Sequence, residues 1–292
     1  MHIDQTHPRR TFIKHLAFTP LLLSPLATAW FAGRRKMQLG LVTYLWGKDW
    51  DVPTLINRCT ETQILGVELR TEHAHGVDPG LSTESQREVR KRFEDSPVTL
   101  VGLGTNQDFH HPDPAKRRAS IERTKEFIRL SQAVGGSGVK VKPNALPKEV
   151  PVVKTIEQIG QSLNEVARYG ADYGQEIRVE VHGEVTQELP VMKAIMDVAD
   201  HPNVKVCWNC NEQDLWGNGL VANFNLVRDR FGATLHVREL DVGPYPYQQL
   251  MTLLVNSNYQ GWVLLECRTD PQDKIAALNH QRLVFQEMVQ KA

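Results

Sequence analysis

Residues 138–182, GVKVKPNALPKEVPVVKTIEQIGQSLNEVARYGADYGQEIRVEVH, contain one complete strand–helix–strand unit. At both ends of this stretch, over 138–142 and 176–182, valine or isoleucine alternates with a charged or polar side chain, which is the period-two pattern of a β-strand. Between them, apolar residues recur every three or four positions, at Val152, Ile156, Ile159, Leu163 and Val166. That spacing predicts a helix with one apolar face. Two strands joined by such a helix are typical of a parallel sheet.

The same unit recurs along residues 37–292. Eight short runs rich in β-branched residues are each followed by a polar loop and a helical stretch; the predicted strands are 38–43, 66–70, 98–102, 138–142, 176–182, 204–209, 233–238 and 262–267. The seventh helix repeats the apolar spacing with Tyr247, Leu250 and Leu254. A doubly wound sheet usually has a glycine-rich phosphate loop after its first strand, and none follows Thr43. The pattern therefore predicts a single α/β domain over 37–292, a (β/α)8 TIM barrel.

The phase of the strands indicates which side chains enter the barrel. Helices cover the outside of a TIM barrel, so the valine-rich face of each strand points outward and the other face points inward. The ionisable and polar residues on the predicted inward faces are Glu68, Arg70, Lys140, Lys142, Arg178, Glu180, His182, Lys205, Cys207, Asn209, His236, Arg238, Glu266 and Arg268. Buried charges persist where they are paired, bind a metal or face water. Since barrel active sites lie at the C-terminal strand ends, we expect these residues to form one there.

Four of these inward residues are of metal-ligand type and lie at equivalent positions on consecutive strands. They are Glu180, Asn209, His236 and Glu266. Two carboxylates, an imidazole and an amide oxygen suit one divalent cation such as Mn²⁺, Co²⁺, Zn²⁺ or Mg²⁺, with water or substrate completing the coordination. A single strand glutamate or histidine is more often a paired core residue, and only the joint placement predicts a metal site.

The succession of Glu180, Asn209, His236 and Glu266 resembles that of the xylose isomerase-like TIM barrels, a superfamily of sugar isomerases and epimerases, inosose dehydratases and endonuclease IV. In its epimerase-like members the ligands are Glu, Asp, His and Glu, so this chain differs at Asn209, and it has Glu212 where a histidine is common. The resemblance implies that one metal-bound glutamate removes a proton next to a sugar carbonyl and that the other returns a proton. Glu180 and Glu266 are the implied catalytic residues.

Further residues around the predicted mouth are expected to bind a small carbohydrate substrate. They are Glu68, Lys142, His182, Arg238 and, by stacking, Trp46. Lys142 is the preferred contact, and its alternative is a salt bridge to Glu68; for Trp46 the alternative is simple packing. We expect the loop residues Glu72, His73, His75, His110 and His111 to be mainly solvated.

Residues 1–36 have the pattern of an export signal and a short lead-in. Arg9, Arg10 and Lys14 precede an uncharged run that ends in a small-x-small site at residues 27–29. The run is too short for a stable membrane span. Residues 9–14, RRTFIK, resemble the twin-arginine motif, with Pro8 where serine or threonine is usual. This motif predicts export of the folded protein to the bacterial periplasm or cell envelope, which favours a bound cofactor.

Composition narrows the functional classes. Lys and Arg total 34 and Asp and Glu total 34, so no basic excess attracts nucleic acid. We therefore expect no nucleic-acid partner and disfavour an abasic-site endonuclease. The four cysteines are too few for a disulfide framework, and the Cys207/Cys210 pair follows a strand, unlike a redox motif. A metal-dependent sugar isomerase or epimerase is favoured. A keto-sugar lyase or hydrolase, a non-catalytic sugar-binding barrel and a homo-oligomer stay open.

Overall fold

The strands of the computed structural model, which describes residues 37–292, are short and parallel. They are β1 (Gln38–Val42), β2 (Gly66–Arg70), β3 (Thr99–Asp108), β4 (Gly138–Lys142), β5 (Glu176–Glu180), β6 (Val204–Cys207), β7 (Thr234–Val237) and β8 (Trp262–Leu265). The predicted export signal, residues 1–36, lies outside the described residues.

One helix follows each strand, apart from two additional 3-10 turns at Glu212–Leu215 and Arg228–Arg230. The helices are α1 (Val52–Thr62), α2 (Thr83–Glu94), α3 (Pro114–Val134), α4 (Val152–Asp172), α5 (Leu189–Val198), α6 (Gly219–Val227), α7 (Tyr247–Asn256) and α8 (Lys274–Gln290). Side-chain caps explain several starts, since Asp51, Ser82, Asp113 and Asp273 each accept a hydrogen bond from a backbone N–H of the first helical turn. Among residues 37–292, every helix is too short or too polar to cross a bilayer.

The sheet runs in the order β6-β5-β4-β3-β2-β1-β8-β7 and curls into a nearly closed barrel. Parallel ladders join all neighbours in this order, with register shifts in the two ladders of β3. Between β6 and β7 the contact is sparser, with isolated bridges at Val206 with Phe231 and Asn209 with His236. The backbone N–H of His236 also donates to the carbonyl of Trp208 at 2.7 Å. The barrel therefore closes at a loose seam.

The predicted TIM barrel is confirmed, although β1, β5, β6, β7 and β8 are one or two residues shorter than predicted. β3 continues to Asp108 beyond its predicted end at residue 102, because its polar second half pairs with Lys142 after a register shift. In α4, Ile159, Leu163 and Val166 are buried as predicted and Ile156 is half-buried, whereas Val152, the first residue of the helix, is 52% exposed.

Gly138 on β4 makes room for a long side chain of the neighbouring strand β5. Arg178 on β5 is fully buried and donates to the carbonyl of Val101, the hydroxyl of Ser137 and the carboxylate of Glu176. A Cβ atom on Gly138 would lie 2.6 Å from the Arg178 guanidinium carbon. The interior position of Arg178 therefore depends on glycine at 138.

Gly138→Ala should lower the free energy of unfolding by about 1–3 kcal/mol, the usual range for overpacking. The added methyl group meets a guanidinium whose hydrogen bonds leave it little room to move. Urea denaturation of the chelator-treated protein measures the change. Gly80→Ala is the matched control, because nothing lies within 4 Å of a Cβ atom there. Equal stability of the two variants would contradict the packing described.

Candidate functional site

Glu180, His236 and Glu266 converge at the C-terminal end of the barrel. Glu180 ends β5, His236 lies in β7 and Glu266 follows β8. One ligand-type atom from each lies within 4.8 Å of the others. All three residues are buried, with Glu266 the most accessible at 9% exposure. Three of the four metal ligands expected from the sequence are thus brought to one place.

The imidazole of His236 lies between carboxylates on both sides. Its Nδ1 is 3.8 Å from Oε1 of Glu180 and 3.9 Å from Oε2 of Glu266. Its Nε2 is 3.1 Å from Oε1 of Glu68, although neither ring nitrogen makes an aligned hydrogen bond. Nδ1 therefore faces the space shared with Glu180 and Glu266. Glu68 was expected to contact substrate, but its carboxylate lies beside Nε2 of His236. A carboxylate in that position commonly orients a metal-ligating histidine.

Glu180 is engaged by two further side chains. Lys140 on β4, 1% exposed, places Nζ 2.6 Å from Oε2 of Glu180. Asn209, just after β6, donates from Nδ2 to Oε1 of Glu180 at 3.0 Å. In this arrangement Asn209 acts as a hydrogen-bond donor to a ligand-type residue, and its own role as a metal ligand stays a prediction. We call Glu68, Lys140, Glu180, Asn209, His236 and Glu266 the central cluster.

Glu180 and Glu266 differ in how readily their carboxylates take up a proton. Burial favours the protonated form of both, but the Lys140 ammonium holds the pKa of Glu180 well below its usual range. The pKa of Glu266 is raised by burial and by the charge of Glu180. Glu180 is thus a fixed anion, while Glu266 more readily takes up a proton.

The charges of the central cluster fit a divalent cation. Its three carboxylates, Glu68, Glu180 and Glu266, face one ammonium, that of Lys140. Burial alone lowers the pKa of His236, but the acidic groups around it, Cys207 and Glu68 foremost, raise it well above its usual range. The three buried carboxylates outnumber the one ammonium of the cluster, and a proton or a metal ion can compensate this excess of negative charge. Two carboxylates and an imidazole are suitable ligands for such an ion.

The remaining residues expected at the mouth have different surroundings. Lys142 donates from Nζ to Oδ1 of Asn106 at 3.2 Å, so the alternative salt bridge to Glu68 is not formed. His182 is partly exposed, and its Nδ1 is buried without a hydrogen-bond partner. The charge of Arg238 acts on the buried carboxyl of Asp214. Trp46 is 2% exposed and its indole N–H donates to the carbonyl of Thr269 at 2.9 Å, which favours packing over stacking.

Two contacts that shape the site are not predicted by the sequence. The strand phase places Lys140 on the inward face but does not predict its ion pair with Glu180, because strand phase does not give the reach of a lysine. Glu239 accepts hydrogen bonds from the backbone N–H groups of Arg268 and Thr269 and so fixes the loop after Glu266. No sequence signal indicated that contact.

The expectation of solvated loop histidines is wrong for His75. This residue is 8% exposed, and its Nε2 lies 2.7 Å from the carbonyl oxygen of Arg70. Its Nδ1 accepts a hydrogen bond from the backbone N–H of Val77 at 3.0 Å. His75 therefore stabilises the loop after β2, because both ring nitrogens are used by backbone groups.

Lys140→Met should destabilise the metal-free protein by about 3–5 kcal/mol at pH 7, because it leaves the Glu180 carboxylate buried without its partner. In the wild type the pKa of Glu180 is depressed, so the stabilising contribution of the pair is present above about pH 4.3 and is lost as the pH falls through the folded-state pKa. In the variant, Glu180 takes up a proton more easily. The difference in unfolding free energy should therefore narrow between pH 7 and pH 4.

Denaturant titrations at several pH values, with a chelator present, measure this difference. Lys193→Met is the matched control, because Lys193 makes an exposed ion pair with Asp197 and its loss should cost less than about 1 kcal/mol. A difference that stays constant with pH would contradict the assignment of the ion pair.

Solved structures with the same architecture include several sugar-modifying enzymes. The 3-keto-D-glucoside 4-epimerase of E. coli has a TM-score of 0.72 at 15% identity, covering 86% of this chain and 100% of that protein. An L-ribulose 3-epimerase has a TM-score of 0.75 at 14% identity, covering 87% and 95%. A probable 3-DHS dehydratase from Bacillus anthracis has a TM-score of 0.70 at 13% identity, covering 86% and 99%. At such identities these likenesses establish the fold.

A comparison with protein families gives a closer assignment. No curated protein sequence matches this chain. The family model described as xylose isomerase-like TIM barrel matches residues 57–286, a range that contains β2 through β8 and the whole central cluster. The chain therefore belongs to the xylose isomerase-like TIM barrel family.

Proposed function

We propose that this protein is a metal-dependent sugar isomerase or epimerase that moves a proton at a carbon next to a carbonyl. The observation that carries the proposal is the convergence of Glu180, His236 and Glu266 on one buried space at the C-terminal end of the barrel. The epimerases among structures of the same fold support the choice of a carbohydrate substrate.

Glu180, His236 and Glu266 are the residues that would hold a divalent cation. Asn209 donates to Glu180 through its amide nitrogen, so its amide oxygen is the atom that would act as a fourth ligand. Glu68 would orient His236 from the opposite ring nitrogen. A bound divalent cation would act as a Lewis acid that polarises the substrate carbonyl and so acidifies the adjacent C–H bond.

Glu266 is the residue we assign to proton removal. A general base needs a pKa near the working pH, and in the metal-free protein burial and the charge of Glu180 raise the pKa of Glu266 in that direction. Glu266 is also the most accessible of the three converging residues. Its backbone N–H donates to the carbonyl of Val237 at 2.7 Å, which holds it against β7.

Glu180 and Lys140 are assigned to the return of the proton. Lys140 Nζ, 2.6 Å from Glu180 Oε2, is a buried ammonium within direct transfer distance of that carboxylate. When the substrate carbon gains a proton through Glu180, Lys140 would supply it in the same step, so that the Glu180 carboxylate is ionised before and after the transfer, and Lys140 would be recharged from solvent when the product leaves. Lys142, His182 and Arg238 stay proposed contacts for substrate hydroxyl groups.

A keto-sugar lyase is the second candidate, and the asymmetry of the two glutamates favours it. Epimerisation uses a proton acceptor and a proton donor, whereas elimination of a β-substituent needs one base and help for the leaving group. Glu266 is suited to be that single base, while Glu180, tied to Lys140 and Asn209, is less free. The dehydratase among structures of the same fold is consistent with this chemistry.

Glu266→Gln should slow metal-dependent exchange of a substrate C–H with solvent deuterium by about 10²–10⁴-fold, the usual contribution of a general base. The assay uses NMR in D₂O with a panel of free ketoses and 3-keto-glucosides and with the metal content of each sample measured. Glu212→Gln is the matched control, because Glu212 is exposed near the same mouth; its rate should stay within about twofold.

The products separate the candidate functions. An epimer or isomer formed with deuterium incorporation supports the proposed activity, and an unsaturated product supports the lyase. Binding of these sugars without exchange would favour a non-catalytic binding barrel. Wild-type exchange by metal-loaded Glu266→Gln would overturn the role given to Glu266.

A further inference from the structure

Asp108, His110 and His111 form a second group of ligand-type side chains, at the end of β3. Oδ1 of Asp108 lies 3.4 Å from Nδ1 of His110 and 3.5 Å from Nε2 of His111, and one atom from each residue lies within 4.8 Å of the others. Around a tetrahedral Zn²⁺ with bonds of about 2.0–2.1 Å, neighbouring ligand atoms are about 3.3–3.4 Å apart. The two distances from Asp108 to the imidazoles thus already match the spacing of a coordination shell.

Within residues 37–292, neither imidazole makes a side-chain hydrogen bond, and Asp108 is the ionisable side chain that both rings approach. Nδ1 of His110 is buried and makes no hydrogen bond. The rings lie 4.3 Å apart between centroids, tilted by 32°, and each has one nitrogen near Oδ1 of Asp108. A buried nitrogen without a partner, aimed at a carboxylate oxygen, is the arrangement that a bound cation would satisfy.

The backbone that carries the histidines is held independently of their rings. Nε2 of Gln158 on α4 lies within 3.3 Å of the carbonyl oxygens of Phe109, His110 and His111. Nη1 of Arg117 donates to the carbonyls of His111 and Pro112 at 2.6 and 2.7 Å. Because these bonds fix the loop, the imidazoles need little reordering to bind a ligand.

The carboxylate of Asp108 is also oriented from outside the group. Asn144, after β4, donates from Nδ2 to Oδ2 of Asp108 at 3.0 Å and leaves Oδ1 for the histidines. The backbone of Asn144 is in the left-handed region, with a φ of 77°, and forms a β-bridge with Gly183. A Cβ atom added to Gly183 would lie 2.0 Å from the Asn144 carbonyl oxygen, so this close approach requires glycine. Such outer contacts commonly orient metal-ligating carboxylates.

We propose that Asp108, His110 and His111 form a second site for a divalent transition-metal ion, of which Zn²⁺ is the best match. Two imidazoles and one carboxylate select such ions over Mg²⁺ and Ca²⁺, which prefer oxygen ligands. The side chain of His111 is 37% exposed, so the site has access to solvent. Three protein ligands leave a coordination position for water or for a substrate oxygen. None of the three residues belongs to the central cluster.

Metal stoichiometry tests the proposal. The chelator-stripped protein is titrated with Co²⁺ as the probe, followed by visible absorption, and with Zn²⁺, followed by calorimetry. His110→Gln with His111→Gln should bind one equivalent less than the wild type. His111→Ala alone, the substitution at the most exposed ligand, should weaken the same equivalent by more than about tenfold. Circular dichroism of each variant verifies that it is folded.

His280→Gln is the matched control, because His280 contacts Asp241 in an exposed pair without a third ligand, and it should keep the wild-type stoichiometry. Glu266→Gln affects the central cluster only, so the two sites are scored separately. Loss of an equivalent in the folded histidine variants supports the second site even if the central cluster binds nothing. Unchanged stoichiometry and affinity in folded His110→Gln/His111→Gln and His111→Ala would overturn it.

Discussion

The ion pair between Lys140 and Glu180 is the contact on which the arrangement at the top of the barrel depends. Both side chains are removed from water, so each ionised group relies on the other and on the few polar atoms around them. The pair fixes the charge of Glu180, and that charge raises the pKa of Glu266. One buried lysine thereby gives two glutamates at equivalent strand ends different acid–base properties.

Much of this arrangement was predictable because strand geometry constrains side-chain direction. Alternation of apolar and charged residues in β4, β5 and β7 placed Lys140, Glu180 and His236 inside the barrel, where they are buried. Alternation could not show which lysine pairs with which acid, since Lys140 and Lys142 share a face. It also could not place Asp108, because the second half of β3 is polar and pairs only after a register shift.

Asn209 departs from the family pattern, and its contacts give it a structural role in this barrel. From the sequence it is a neutral replacement for an acidic ligand. In the structure its amide donates to Glu180 and its backbone bridges to His236. The residue therefore joins β5 and β7 across the seam where the ladder between β6 and β7 is interrupted. Its position serves the closure of the barrel as well as the electrostatics of the cluster.

The glycines of β3 and β4 have a consequence for how sequences of this family can diverge. A Cβ atom at Gly104 would lie 2.6 Å from Oε1 of Glu68, and one at Gly138 would meet Arg178. Each of these glycines is thus tied to a particular long side chain on another strand. Homologues that acquire a larger residue at either position are expected to have shortened its counterpart, so the two pairs should covary, and libraries for engineering this barrel should randomise them together.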